Sequence, residues 1–372
     1  MQSRRLRASH APNLTFFSAR VGSLSSCALL FALTAACSSA EPAANQPRDD
    51  SESVASEGVS AKRVVGYLPH YRDSLSYWTS TLDFSALTHV TLAFASLDTG
   101  ASDVEIHYRQ QGASSGDEPG LTEFVKRAHE SSPKVKVCLA IGGASGSDAL
   151  GAEIVKDPVG LANKVAKYAE TNELDCIDVD QEEEEAKRTD ELDAAYGNFI
   201  RALAPLLHGM DKELTAAVSR WKPDKILPVI DEFDFMSPMA YDYNLADSSP
   251  TPVQASPLEQ SEAEMKWWVG KGADPTKLVW GVPFYGYQWT PNGKDGEAIA
   301  YRTIIDQRGS EPTEDEIELG TSTVTLNSSA TIRSKARIAK ANYGGVMIWE
   351  LWQDTTDLNW SLLQAIKSEM TQ

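Results

Sequence analysis

Apolar runs of strand length recur along the chain, and stripes of helical period separate them. Eight runs stand out, at 63–68 (RVVGYL), 87–95 (LTHVTLAFA), 134–141 (KVKVCLAI), 174–181 (LDCIDVDQ), 213–219, 233–239, 277–283 and 344–349. Strands covered on both faces read as near-continuous apolar runs, as in a parallel sheet flanked by helices. Between them, Leu161, Val165 and Tyr168 follow Pro158 at helical spacing, and Leu192, Tyr196, Phe199 and Leu203 form a second stripe. Alternating parallel strands and helices need right-handed crossovers, and eight such units predict an α/β chain closed into a (β/α)8 TIM barrel. An open doubly wound sheet is the alternative, but no GxGxxG or phosphate loop follows the first run. The last crossover breaks the pattern, because residues 290–343 are too many for one loop and one helix. With a helix at 328–341, residues 290–327 are expected to form a small insertion before the last strand, with a β-like piece at 321–326 and an acidic stretch at 311–318.

The amino terminus has a different character. Arg4, Arg5, Arg7 and Arg20 precede an uncharged apolar run, 21–36, that ends in small residues, so residues 1–36 read as a signal peptide for export. The run closes Leu33-Thr34-Ala35-Ala36-Cys37, which resembles a bacterial lipobox, although Thr34 stands where Leu is commoner. In that reading Cys37 is lipidated, and Ser38 after it directs the protein to the outer membrane. Cleavage by ordinary signal peptidase, giving a secreted protein, is the alternative. Residues 37–61 are rich in Ser, Ala, Pro and acid, too poor in apolar side chains to offset ordering entropy, and are expected to be a flexible tether. The folded part is then 62–372.

Charge narrows the range of partners. The 372 residues carry 34 Lys and Arg against 53 Asp and Glu, a net charge of −19, which disfavours a nucleic-acid partner. Six scattered His and four Cys show no metal-ligand spacing, so no metal site is expected. No run of about 18 uncharged apolar residues lies beyond the amino terminus. The body is therefore expected to be soluble and to meet a membrane only through a lipid at Cys37. Cys138 and Cys176 sit inside apolar runs and are expected to be small buried hydrophobes rather than disulfide partners.

In a barrel, catalytic groups project from the carboxyl ends of strands. The fourth run ends in DCIDVDQE, where alternation puts Asp178, Asp180 and Glu182 on one face and Ile177, Val179 and Gln181 on the other. Three inward carboxyls that close cannot all ionise, so at least one is expected to hold a proton near neutral pH. Glu183, Glu184 and Glu185 follow directly and are expected to be the solvated start of a helix, where acids suit the dipole. Tyr67, Tyr71, Tyr285, Trp289 and Trp352 lie at or just after strand ends, where a ring can stack on a sugar or pack in the protein. Trp267 and Trp268 fall mid-helix, and His89 inside the second strand, where packing roles are expected.

DCIDVDQE also resembles the DxxDxDxE signature of glycoside hydrolase family 18, the chitinase-like family. RVVGYLPHY, LTHVTLAFA and VCLAIGGAS resemble its first strand, second strand and SxGG segment. MSPMAYDYN carries its MxYD motif at Met239, Tyr241 and Asp242, and KLVWGVPFYG and GGVMIWELWQD resemble its last two strands. The order is right along nearly all of 62–372. The resemblance implies a (β/α)8 fold and retaining hydrolysis of β-1,4 bonds next to N-acetylglucosamine, with the substrate's own acetamido oxygen as nucleophile. It implies Glu182 as general acid and then base, Asp180 orienting the acetamido group, and Asp178 sharing a proton with Asp180. Tyr241 would donate to the acetamido carbonyl, Asp242 would bind sugar hydroxyls, and Trp349 would floor the reacting sugar. Met239, Tyr67 and Tyr285 complete the expected substrate-binding set. No cofactor is implied, the partner is an N-acetylglucosamine-containing oligo- or polysaccharide, and a monomer is expected.

Three residues depart from the family pattern. Ala140 replaces the Ser of SxGG, Cys176 a Gly, and Gln181 the aromatic before the acid. They leave the acid, the Asp pair and the Tyr in place, so activity is expected, with a shifted pH profile. Two other functions compete. One is an endo-β-N-acetylglucosaminidase acting on N-glycans, or a hydrolase of peptidoglycan, since a small insertion implies a shallow cleft. The other is a carbohydrate-binding protein without catalysis, against which Glu182 stands.

Overall fold

The computed structural model describes residues 62–371 apart from 100–103, 110–112, 114, 115, 184–186, 244–250 and 291–295. The signal, the tether and Cys37, like Glu184 and Glu185, lie outside the described residues.

All eight apolar runs form strands: β1 (Arg63–Pro69), β2 (His89–Thr99), β3 (Lys136–Gly142), β4 (Cys176–Asp180), β5 (Glu213–Val218), β6 (Phe235–Pro238), β7 (Val279–Pro283) and β8 (Gly345–Trp349). They pair in parallel, each with its neighbour in sequence from β1 to β6, while β8 pairs with both β7 and β1. A single parallel bridge, Met236 to Leu278, joins the β6 and β7 sides and closes the ring. The fold is a (β/α)8 barrel.

The helices are α1 (Leu75–Thr81), α2 (Leu121–His129), α3 (Gly143–Lys156), α4 (Pro158–Thr171), α5 (Asp190–His208), α6 (Leu258–Gly270), α7 (Tyr301–Arg308), α8 (Ser329–Asn342) and α9 (Leu362–Thr371). Local chemistry sets their starts. Asp157 caps α4 by accepting from the Gly160 N–H at 2.9 Å, with Pro158 in the first turn. Thr189 caps α5, whose first turn carries Asp190, Glu191 and Asp193. The stripe Leu192, Tyr196, Phe199 and Leu203 is buried in full.

Alternation along the strands divides the core in two. Val137, Leu139, Ile141, Ile177 and Val179 face outward into the layer between strands and helices. Val65, Tyr67, Ala93, Ala140, Phe235, Val279 and Met347 face inward and fill the lumen. None of the described helices is long and apolar enough to cross a membrane.

The irregular last crossover begins earlier than expected, immediately after β7. Segments Tyr285–Trp289, Glu297–Ala300, Glu316–Leu319 and Ser322–Leu326 form a separate four-stranded antiparallel sheet. Leu319 pairs with Ser322 across a tight turn that Gly320 makes at φ 64°. The helix α7, not anticipated from the sequence, lies within this insertion, and α8 follows it one residue later than expected. A second unanticipated feature is the extension of β2, which pairs antiparallel with Val104–His107.

Candidate active site

Strand β4 delivers its carboxyls to the lumen as its alternation dictates. Asp178 is buried, and both its oxygens are engaged: Tyr67 donates its hydroxyl at 2.7 Å and Thr215 donates at 2.6 Å. Ala140 sits beside Asp178 in register and offers no hydroxyl, so Thr215 on β5 and Tyr67 on β1 carry that duty. Burial pushes the Asp178 carboxyl up, against these two bonds. Asp180, one layer higher, is also buried, and its Oδ1 has no hydrogen-bond partner among the described residues. Burial, then the charges of Glu182 and Asp178, hold it well above the usual carboxylate range. Glu182, just past the strand end, is pushed up to about 7 by burial, with Asp242 adding to the rise and Lys222 and Lys225 opposing it. Its backbone N–H donates to the Ser147 hydroxyl at 2.5 Å.

The turn from β3 into α3 comes up against this strand end. Gly142 has φ 105°, and a Cβ there would lie 2.1 Å from the Asp180 carbonyl; at Gly143 one would strike the Phe94 ring. Only glycine permits that approach. A cavity of about 180 Å³, lined by residues that include His70, Phe94, Leu97 and Ser145, opens beside it.

The opposite wall follows β6. Asp242 takes a left-handed backbone, φ 57°, which Asp tolerates better than most residues. Its carboxylate accepts from Tyr285 at 2.7 Å and Tyr287 at 3.0 Å. Burial raises Asp242 against those bonds. Burial first, then Asp180 and Glu182, push the Tyr241 phenol well up, so it remains a donor at neutral pH. Trp349, half-buried at the end of β8, meets Tyr67 edge-on at 5.6 Å and lies 5.9 Å from Phe94. Met239, Tyr241 and Trp349 all pack against the inner cluster. Asp178, Asp180, Glu182, Tyr241, Asp242, Met239 and Trp349 are thus gathered at one mouth of the barrel. A proton donor, buried acids, a phenol and an aromatic platform there fit general acid chemistry on a sugar.

The other aromatics divide. Tyr67 and Tyr285 are 1% and 8% exposed, with hydroxyls committed to Asp178 and Asp242, so they hold the acids rather than present ring faces. Trp289 is buried in the insertion, its indole N–H on Thr325. The guanidinium groups of Arg72 and Arg302 stack on Trp352 at 4.1 and 4.6 Å. Tyr71 is exposed, Trp268 is core and Trp267 packs against the core. His89 is buried between Thr88 and Glu213, as a packing histidine should be. Among the described residues no cluster of three or more His, Cys, Asp or Glu is placed to hold a metal ion.

Two expectations fail. Cys138 and Cys176 are not free thiols: they are joined in a disulfide. They are paired positions on neighbouring strands with inward parity, which puts their sulfurs together in the lumen beneath Asp178. Glu183 does not begin a solvated helix. It is 2% exposed and bonded to Lys225, and α5 starts only at Asp190. Thr215, Ser147 and Lys225, which contact the acidic strand end, were not anticipated from the sequence. For Thr215 a signal existed, since an inward Thr on the strand after the acidic one can reach Asp178.

The chain is similar to known proteins over nearly all of its described part. The model of the family "Glycosyl hydrolases family 18" matches residues 63–354. Nod factor hydrolase protein 1 of Medicago truncatula is 25% identical over 338 residues, 78% of this chain and 86% of the relative. Among solved structures, a family 18 chitinase from the chitin utilization locus of Flavobacterium johnsoniae is 28% identical, with a TM-score of 0.68 covering 83% of this chain and 94% of that one. A chitinase from Bacteroides thetaiotaomicron is 25% identical at the same TM-score, covering 84% and 97%.

Proposed function

The chain belongs to glycosyl hydrolases family 18, and on that premise we propose that it hydrolyses β-1,4-linked N-acetylglucosamine oligomers or polymers with retention, assisted by the substrate. The observation that carries the reading is Glu182, a carboxyl held at about 7 at the barrel mouth beside two buried Asp residues. A group with that value is largely protonated at mildly acidic pH and can give its proton to the leaving glycosidic oxygen. The substrate's acetamido oxygen attacks the anomeric carbon as that bond breaks, giving an oxazolinium ion. Asp180, whose Oδ1 is unsatisfied, orients the acetamido N–H and balances the developing positive charge. Asp178, fixed by Tyr67 and Thr215, shares the proton that keeps the pair from carrying two charges. The Tyr241 hydroxyl donates to the acetamido carbonyl. Glu182, now ionised, takes a proton from the water that opens the ring.

The proposal extends to export through residues 1–36 with lipidation at Cys37, which metabolic labelling with a palmitate analogue and a Cys37→Ser control would test. The activity is tested by incubating the protein with a defined chitooligosaccharide and, separately, an N-glycopeptide, and weighing the products. Chitooligosaccharide cleavage that disappears in Glu182→Gln supports the reading. Cleavage of the glycopeptide alone moves the substrate to N-glycans, and sugar binding with no cleavage makes the protein a lectin.

A further inference from the structure

Behind the acid lies a buried ion pair that the chemistry above does not use. Lys225, in the segment after β5, and Glu183 are 4% and 2% exposed and meet at 2.5 Å. Lys225 Nζ also donates to the Gln181 carbonyl at 2.5 Å. One ammonium therefore grips the residues on either side of Glu182. From the α3 side, Ser147 accepts the Glu182 N–H and its carbonyl accepts from Gln181 Nε2 at 3.0 Å. The acid is clamped from two elements.

A buried ion pair seldom contributes more stability than an apolar pair of the same shape. Its place here points to another use. We propose that Lys225 is a positioning residue: by holding Glu183 and the Gln181 carbonyl together it fixes the backbone that carries Glu182 and sets a cation beside the acid. The inference rests on the hydrolase reading for its kinetic part only. Glu183, Lys222 and Asp193 face Lys225, and the Tyr196 ring of α5 lies 5.7 Å from its Nζ. Asp180, Asp242, Lys222 and Lys225 face Glu182.

Removing either partner alone would strand the other's buried charge, so Lys225→Met and Glu183→Gln are made together and the double variant is compared with the wild-type protein, with folding followed by near-UV circular dichroism. The Glu182 titration is read by ¹³C NMR of glutamate-labelled protein, its carboxyl assigned by its absence in Glu182→Gln. From the wild type to the double variant, the Glu182 midpoint should rise by about one pH unit, because the Lys225 cation that lowers it is lost. The basic limb of the pH–rate profile should move up with it, and kcat should fall about 10-fold with KM changed less than about twofold. If methionine prevents folding, Lys225→Gln in the same background removes the charge and gives the same titration. A folded double variant with the titration and kcat of the wild type would overturn the proposal. If the wild-type protein hydrolyses nothing, the hydrolase reading fails while the Glu182 titration still decides the role of Lys225.

Discussion

The two ends of the barrel lumen treat carboxyls in opposite ways. At the amino-terminal end, Glu213 on β5 meets His89 of β2 at 3.0 Å and Lys136 of β3 at 2.5 Å, with Arg63 stacked over Phe235 close by. Burial alone would raise Glu213, yet the His89 and Lys136 contacts hold it down at about 2. At the carboxyl-terminal end, burial wins: Asp178, Asp180 and Glu182 are all raised, and no cation touches them directly among the described contacts. The strands are shared and burial pushes the acids up at both ends, so the partner decides the outcome. An acid given a cation contributes to stability; an acid denied one keeps its proton and becomes available for chemistry.

The comparison can be broken most forcefully at Glu182. Glu182→Gln should lower kcat by about 10²–10⁴-fold while oligosaccharide binding persists, as kinetics beside calorimetric titration would show. Between the two ends lies the Cys138–Cys176 disulfide, which closes a sequence separation of 38 residues. Replacing both Cys by Ala should cost about 2–4 kcal/mol in denaturant unfolding, with the acidic column still assembled. At the lower end, Glu213→Gln should cost roughly 1–3 kcal/mol near neutral pH and leave kcat intact. The sign follows from its depressed value. Glu213 stabilises the fold above its unfolded value and ceases to do so as pH falls from about 4.5 towards 2, so the variant should lose less stability across that window. The upper end should respond inversely. A raised carboxyl opposes folding once ionised, so above pH 7 Glu182→Gln should gain about 1–2 kcal/mol, seen as a higher melting temperature at pH 8. Equal responses to Glu213→Gln and Glu182→Gln would remove the distinction between the ends.

Much of this was legible in the sequence for physical reasons. Barrel strands are covered on both sides, so they appear as apolar runs, and all eight were found. The Asp178-Asp180-Glu182 column was legible because apolar residues interleave with it at period two. The motif resemblance supplied Tyr241 and Asp242, which no periodicity marks. What stayed hidden depends on partners distant in sequence. The disulfide requires the register of β3 against β4, and a Cys in an apolar run looks the same bonded or free. Glu183 has the same sequence context as a solvated acid, and its partner Lys225 is 42 residues away. Trp352 reads equally as a sugar platform or a packed ring until Arg72 and Arg302 are found on its face. The insertion sheet started early because Tyr285–Trp289 follows β7 directly, with no turn signal wide enough to separate them.

On the proposed mechanism, Glu182 drives a substrate-assisted, retaining cleavage. The most direct test is a proton NMR time course of chitooligosaccharide hydrolysis, read at the anomeric signals before mutarotation, for the wild-type protein and Glu182→Gln. β-Anomer product should appear first from the wild type, with almost none from the variant. Initial α-anomer, or undiminished hydrolysis by Glu182→Gln, would contradict it.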